Sequence, residues 1–447
     1  MMKKIIIPIL SIFLMASCEL TDVVDQDPPN NLVPENVVKN ENDAKALLNG
    51  VYSTIISFSS PHYYMYSELV PAALSGSMSS IGFGDGNSAF VTNNVLFDNG
   101  ELKNFWQIKY KVLDAANNTI ALVEELPDEE FSGNTKSEII GEAHFLRAMS
   151  SFDLLRYFGQ FYDLDSEYGI IIRTEPVNFV SRNKARSSVA ATYDQILSDL
   201  DYAMVNAPDF SVNHRASKTA AKALKARVLL FMGNYSGAAS IANEVIESQV
   251  RQLEPDFPAV FNNGLNSSEI ILLTHRSPDS DTEDNNRKRF YSGRTGNTWY
   301  PEMMEGDPRQ EFTYEGLKIL KVNNEETYRP TYFLRLAQMY LIKAEALAFE
   351  NAALEDIQEP LNEIRLRAGL ATSEATTIEA VKEEIFQEYV RELAFENGSE
   401  WFAAIRFNKI MELKPEITSE DQFILPIPED EIFGNSELNL SDQNPGY

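Results

Sequence analysis

The sequence predicts a mostly α-helical protein in which helix hairpins form a scaffold and long irregular segments are carried on it. Three observations lead there. Residues 331–349 (TYFLRLAQMYLIKAEALAF) run for about five turns without Gly or Pro and are apolar nearly all round, as in a helix packed on several sides. Residues 217–247 read as two helices meeting at Gly233-Asn234, with alanines where they cross. Two stretches, near 57–101 and 250–330, are rich in Ser, Gly, Asn and aromatics and follow no helical period.

The N-terminus reads as an export signal. Lys3 and Lys4 precede an apolar run over 5–14, and Ala16-Ser17 form a small-residue cleavage site before Cys18. The apolar run is too short for a comfortable membrane span. Cys18 is the only cysteine, so no intrachain disulfide can form. Its position resembles a bacterial lipobox, with Met15 where Leu is usual and Leu14 one place further back. This predicts removal of residues 1–17, lipidation of Cys18 and anchoring by acyl chains rather than by a spanning helix. The other reading is an ordinary signal peptide that ends near a cysteine. Residues 18–36 are acidic, carry Pro28, Pro29 and Pro34, and read as a tether. Residues 37–447 are then one domain with the two loop-rich insertions.

Taken in order, residues 43–56 read as a helix, and 57–101 as long surface loops with a few short strands. Helix returns over 104–126 and 135–158, the latter with Thr135 placed as N-cap and Glu138 three residues on, and with Gly159 as the stop. Residues 187–205, 217–232 and 235–247 are helical. Within 250–330 only Ile270 to Thr274 (IILLT) reads as a strand. The helix over 331–349, which opens after Pro330, is followed by helices over 354–368 and 377–397. The Pro- and Asn-rich end closes without helix.

Composition narrows the function. Hydrophobic residues make up 44% and charged residues 23%, a globular balance. The net charge of −29 argues against nucleic acid or an anionic membrane face as partner. The four histidines (62, 144, 214, 275) are isolated, and His144 reads as a packed helix residue. There is no HExxH, no Walker loop, no GxSxG and no cysteine beyond Cys18; Gly82-Phe83-Gly84-Asp85-Gly86 does not match a dinucleotide fingerprint. The run from Asp279 to Asp284 alternates acids like a calcium loop but lacks Gly at its sixth place and Glu at its twelfth, which is Phe290. Neither a metal nor a cofactor is expected. Any chain with 67 acids offers carboxylate pairs, but nothing marks one as a glycosidase pair.

The positive signal is aromatic. A pyranose ring has apolar C–H faces and hydroxyls at its edge, so a glycan platform needs exposed aromatic faces ringed by polar side chains. Two loop segments offer this: His62, Tyr63 and Tyr64 in the first, and Tyr291, Arg294, Asn297, Trp299 and Tyr300 in the second. The alternative for each aromatic is that it pins its loop to the scaffold.

Five motifs in order resemble the SusD/RagB family of outer-membrane nutrient-binding lipoproteins. They are FWQIKYKVLDAANNTI (105–120), GEAHFLRAMSSFDLLRYFG (141–159), LRLAQMYLIKAEALA (334–348), ELAFENGSEWFAAIRF (392–407) and LPIPEDEI with the terminal QNPGY. Asn397-Gly398-Ser399-Glu400 and Ala403-Ala404 depart from the family's pattern, which puts local salt bridges in question. The resemblance implies a SusD-like fold with tetratricopeptide-like helix pairs and an irregular binding half. It implies a protein that is not an enzyme, anchored on the outer membrane facing the cell exterior. Such a protein captures a glycan and passes it to a SusC-like TonB-dependent transporter. A peptide ligand, or a lid without its own ligand site, are the alternatives. Trp299 lies outside the family's scaffold motifs, so its replacement by Ala is expected to weaken binding without unfolding the protein, whereas Trp106 and Trp401 belong to the core.

Overall fold

The structure is a computed structural model that describes residues 38–56, 63–80, 87–274, 299–316, 318–321 and 330–447; the expected leader, Cys18 and tether lie outside them. Helices α1 (Glu41–Ile56), α2 (Tyr63–Ser75) and α3 (Asn87–Val91) lead to the long pair α4 (Gly100–Glu124) and α5 (Thr135–Phe158). Helices α6 (Val189–Asn206), α7 (Lys218–Phe231) and α8 (Tyr235–Glu247) follow, then α9 (Phe257–Asn262) and strand β1 (Ile270–Leu273). Short helices α10 (Trp299–Met303) and α11 (Gln310–Thr313) and a ribbon of β2 (Tyr314–Glu315) with β3 (Lys318–Ile319) precede β4 (Tyr332–Arg335). The chain ends with α12 (Leu336–Phe349), α13 (Leu354–Arg367), α14 (Ile378–Leu393), α15 (Ser399–Arg406), α16 (Ile410–Leu413) and α17 (Glu429–Gly434). The expected mostly helical architecture is present.

Each long helix packs on the next, from α4 through α5, α6 and α7 to α8. Helix α8 then packs on α12, which also meets α13 and α14, so the ladder continues past the irregular region. Side-chain caps fix the helix starts: Ser188, Ser217, Asn234 and Thr377 each accept from a backbone N–H three residues on. In α5 every residue from Ile139 to Phe158 except His144 is buried. A side chain at Gly141 would sit 2.4 Å from the backbone nitrogen of Ala207, so glycine there lets the end of α6 seat against α5.

Several boundaries differ from the sequence reading. Residues 332–335 are not helix but β4, paired antiparallel with β1 so that Ile270 faces Arg335 and Leu273 faces Tyr332. Both strands are buried throughout, and a short apolar run buried on both faces has no period that separates strand from helix. Residues 63–75 form helix α2, with Pro71 inside it, where loops were expected. Burial of Tyr63, Tyr66, Val70 and Ala73 on one stripe outweighs the local turn chemistry. The N-cap of α5 is Asn134, with no side-chain cap bond, and the Thr135 hydroxyl donates instead to Ser132 O at 2.8 Å.

A buried ion network joins the ladder to the irregular half. Arg309 pairs with Asp307 (2.7 Å), Glu388 (2.9 Å) and Glu392 (3.0 Å). Arg335 of β4 pairs with Glu269 (2.6 Å), Glu396 (2.6 Å) and Glu392 (3.0 Å). Arg367 bridges Glu269 and Glu392, and Lys321 reaches Glu396 at 2.6 Å. Burial would raise the Glu392 carboxyl, but Arg367, Arg335 and Arg309 hold it well below the usual range.

Glu400, one of the departures noted in the sequence, stands outside that network. It is buried in the first turn of α15, and accepts from the Ser77 hydroxyl (3.2 Å) and the Phe395 backbone N–H (3.1 Å). Burial raises its pKa from 4.5 to about 7.

Two outcomes follow from these charges. Arg335→Met takes a shared cation from Glu269, Glu392 and Glu396, each of which keeps another, and is expected to cost about 3 kcal/mol in chemical denaturation; a loss under about 1 kcal/mol would mean the network is solvated. For Glu400 the folded state binds the extra proton, so its stabilising contribution is complete below about pH 4.5 and is lost as pH rises through about 7. Glu400→Gln should therefore match the wild type at pH 4 and exceed it at pH 8 by up to roughly 3 kcal/mol. Equal differences at the two pH values would show that Glu400 is ionised throughout.

Candidate functional site

The aromatic residues singled out in the sequence divide into two groups. Tyr63 is fully buried in α2, where its hydroxyl donates to Asp153 Oδ2 at 2.8 Å and the Lys109 ammonium lies 3.2 Å from its ring centre. Tyr300 is fully buried, edge-on to Phe395 with ring centres 4.9 Å apart. Trp299 is only 9% exposed, and its indole N–H donates to Ser75 O at 3.1 Å. These three pack the core and do not form an exposed shelf. A helical stripe of Tyr63, Tyr66, Val70 and Ala73 in the sequence carried that signal, through the proline that masked it. Tyr64 lies in α2, while His62, Tyr291, Arg294 and Asn297 lie outside the described residues, as do the glycine loop at 82–86 and the acidic run at 279–284.

The ends of those segments converge on a cleft of about 250 Å³. One wall is the last two turns of α1, where Asn49, Tyr52, Ser53 and Ile56 share a face at helical spacing. The floor is apolar: Leu146 and Met149 of α5, Leu272 of β1 and Phe333 of β4. His214, Arg215 and Thr274 complete the rim. Ile56 directly precedes residues 57–62, and Thr274 directly precedes residues 275–298. The cleft therefore sits at the roots of both expected binding loops.

Its polar edge is held by one buried carboxylate. Glu142 of α5 accepts from the Tyr52 hydroxyl at 2.6 Å and from Arg215 Nε at 3.0 Å. Arg215 also donates to Asn49 Oδ1 at 2.6 Å, and its guanidinium lies 4.3 Å from the Tyr52 ring centre. The Ala216 N–H donates to the Tyr52 oxygen at 2.8 Å, which fixes the turn that carries His214 and Arg215. Burial pushes the Glu142 carboxyl above its usual pKa, against the pull of Arg215. Glu142 lies behind the wall, and no acid lines the cleft among the described residues. Such a site offers an apolar floor with a rim of guanidinium, amide and hydroxyl groups in fixed places, suited to a polar ligand with apolar faces. Nothing in the sequence marked Tyr52 or Arg215, because their partner Glu142 lies about 70 to 90 residues away in the chain.

A broader groove of about 440 Å³ lies along α4 and includes Trp106 and Tyr110. Trp106 is buried, as expected, and its indole N–H reaches Glu431 Oε2 at 3.4 Å, while the Tyr110 hydroxyl bonds Ile171 O at 3.1 Å. Their polar handles are therefore engaged within the fold. His144 is likewise a packed helix residue, stacked on Tyr202 with Nδ1 2.8 Å from Asp199 Oδ1. Among the described residues no group of three or more His, Cys, Asp and Glu is placed to hold a metal ion.

Comparisons with known proteins agree on one family. Residues 24–230 match a family model described as starch-binding and associating with the outer membrane, and residues 274–418 match the model of the SusD family. A SusD-like protein, P2, from Formosa agariphila is 24% identical, over 95% of this chain and 96% of its own. Among solved structures, a SusD superfamily protein from Bacteroides thetaiotaomicron is 24% identical, with a TM-score of 0.77 over 91% of this chain and 100% of that one. A laminarin-binding SusD-like protein is 22% identical, with a TM-score of 0.75 over 92% and 100%.

Placing Trp299 in the core reverses the sequence-based expectation for its replacement. Trp299→Ala should destabilise the fold by about 3–5 kcal/mol, the usual cost of truncating a buried aromatic. Thermal and chemical denaturation check this, and a wild-type melting curve would return Trp299 to the surface.

Proposed function

The chain belongs to the SusD/RagB family, and on that premise we propose that it is a non-catalytic glycan-binding lipoprotein of the outer membrane. It is anchored through Cys18, faces the cell exterior, and delivers oligosaccharide to a SusC-like TonB-dependent transporter. The observation that carries the ligand reading is the cleft beside Tyr52 and Arg215. It joins an apolar floor to a polar rim and opens at the roots of the two segments that hold His62, Tyr291, Arg294 and Asn297. Those loop side chains supply further contacts in this reading. Among the described residues no helix is long and apolar enough to cross a membrane. A β-glucan is the first ligand to try, because a protein of this fold binds laminarin.

The test is retardation of the soluble protein, truncated after Cys18, by a panel of polysaccharides in affinity electrophoresis, followed by calorimetry on any hit. One glycan class should retard it. Ser53 is exposed on the cleft face of α1, so Ser53→Trp fills the cleft without touching the core. It should weaken binding roughly tenfold or more, a loss of at least about 1.4 kcal/mol, at an unchanged melting temperature. Retardation by no glycan would overturn the ligand class. Full affinity in Ser53→Trp would move the site elsewhere on the molecule.

A further inference from the structure

Where α7, α12, α14 and α15 meet, the core contains more positive than negative charge. Asp153 pairs with both Lys109 (2.8 Å) and Arg156, and Glu345 pairs with Arg406 at 2.6 Å. Arg227 is buried beside them and has no carboxylate partner among the described residues: its guanidinium donates only to Phe333 O at 2.5 Å and to Gln338 Oε1. Four cations are thus served by two carboxylates, inside a protein whose overall charge is −29. Burial is the main influence on Arg227 and lowers its pKa to about 9, so it remains charged at neutral pH. An uncompensated charge in a low-dielectric interior is costly unless a counter-charge reaches it.

The three guanidiniums of this group border one small cavity, together with Asn397, Ser399 and Phe402. Its free space of about 10 Å³ is at the lower limit for a single small particle, so a monatomic ion needs its side chains to part slightly, and it excludes phosphate or a carboxylic acid. Aromatic rings cover the guanidinium faces: Arg156 lies 4.5 Å from the Phe402 centre, and Arg406 lies 4.8 Å from that of Phe231. Arg406 turns two N–H groups to Glu345, and Arg227 turns its own to Gln338 and Phe333 O. Arg156 keeps a buried Nε–H with no hydrogen-bond partner among the described residues. A surface groove of about 340 Å³ shares Leu230, Phe231 and Arg406 with the cavity, so these side chains stand between it and solvent.

We propose that this cavity is a binding site for one monatomic anion of the chloride class, held by Arg156, Arg227 and Arg406 with the amide of Asn397. The ion neutralises the cationic junction between α7 and the helices of the C-terminal half. The cavity shares no lining residue with the glycan cleft, although Arg227 donates to the carbonyl of Phe333 on the cleft floor.

Two measurements test it. In crystals grown with sodium bromide, an anomalous peak at the bromine edge is expected inside the cavity; density there without anomalous signal, which is water alone, overturns the proposal. In solution, the melting temperature should rise when gluconate is replaced by chloride at constant ionic strength. Asn397→Asp places a tethered carboxylate at the site and should abolish that rise while keeping the fold, since Asn397 already has φ of 50°, a backbone Asp also tolerates. If that variant does not fold, Arg227→Gln serves the same purpose by removing the unpaired charge. A wild-type melting temperature indifferent to chloride, or an undiminished chloride effect in the variant, overturns the proposal.

Discussion

Glu392 accepts from Arg309, Arg335 and Arg367 at once, and the meeting of the helical ladder with the irregular half depends on that shared carboxylate. The three arginines come from the start of α11, from β4 and from the end of α13. None of these elements can shift far without leaving a buried charge unpaired. Replacing such a network by apolar groups of similar volume is often neutral for stability, whereas breaking it from one side is severe. Its contribution is therefore to position. The bulged pairing of β1 with β4 could slip if only apolar contacts held it, and Arg335, bonded on three sides, resists that slip.

A comparable arrangement runs through α5. A helix buried on every side must satisfy its polar residues internally, and α5 does so for most of them with partners on several elements. Arg147 and His144 share Asp199 of α6, and Asp153 takes Lys109 of α4 and the hydroxyl of Tyr63 from α2. Burial works against ionisation of Asp153, yet Lys109 and Arg156 hold its pKa at about 2. Glu142 on the same helix organises the cleft wall. Helix α5 is thus both the central beam and the back of the candidate site.

Much of the scaffold was legible in the sequence because helices of the ladder are local objects. Spacing and caps placed α6, α7 and α8 to within two residues, and Gly233-Asn234 marked the α7–α8 turn. Legibility failed where long-range contacts decide. Tyr332–Arg335 becomes a strand only because Ile270–Leu273, some 60 residues earlier, is there to pair with it. Residues 63–75 become helical despite Pro71 because a core receives them. The candidate site was the least visible part. Trp299 and Tyr300 are aromatic for packing, and Tyr52 and Arg215 gain their meaning from Glu142, which no short window of sequence joins to them.

The β1–β4 pair also governs what lies between its strands. Thr274 donates its N–H to Thr331 O at 2.9 Å, and Thr331 returns its own N–H to the Thr274 hydroxyl at 2.9 Å. The intervening chain thus leaves and re-enters the scaffold through one clasp. Loop-closure entropy grows only with the logarithm of length, about 0.6 kcal/mol for each doubling. Beyond the residues that pin it to α14 and α2, such a segment is free to lengthen, shorten or be exchanged at small energetic cost. The clasp fixes where this stretch leaves and rejoins the scaffold, so a change in its length need not disturb the register of the ladder.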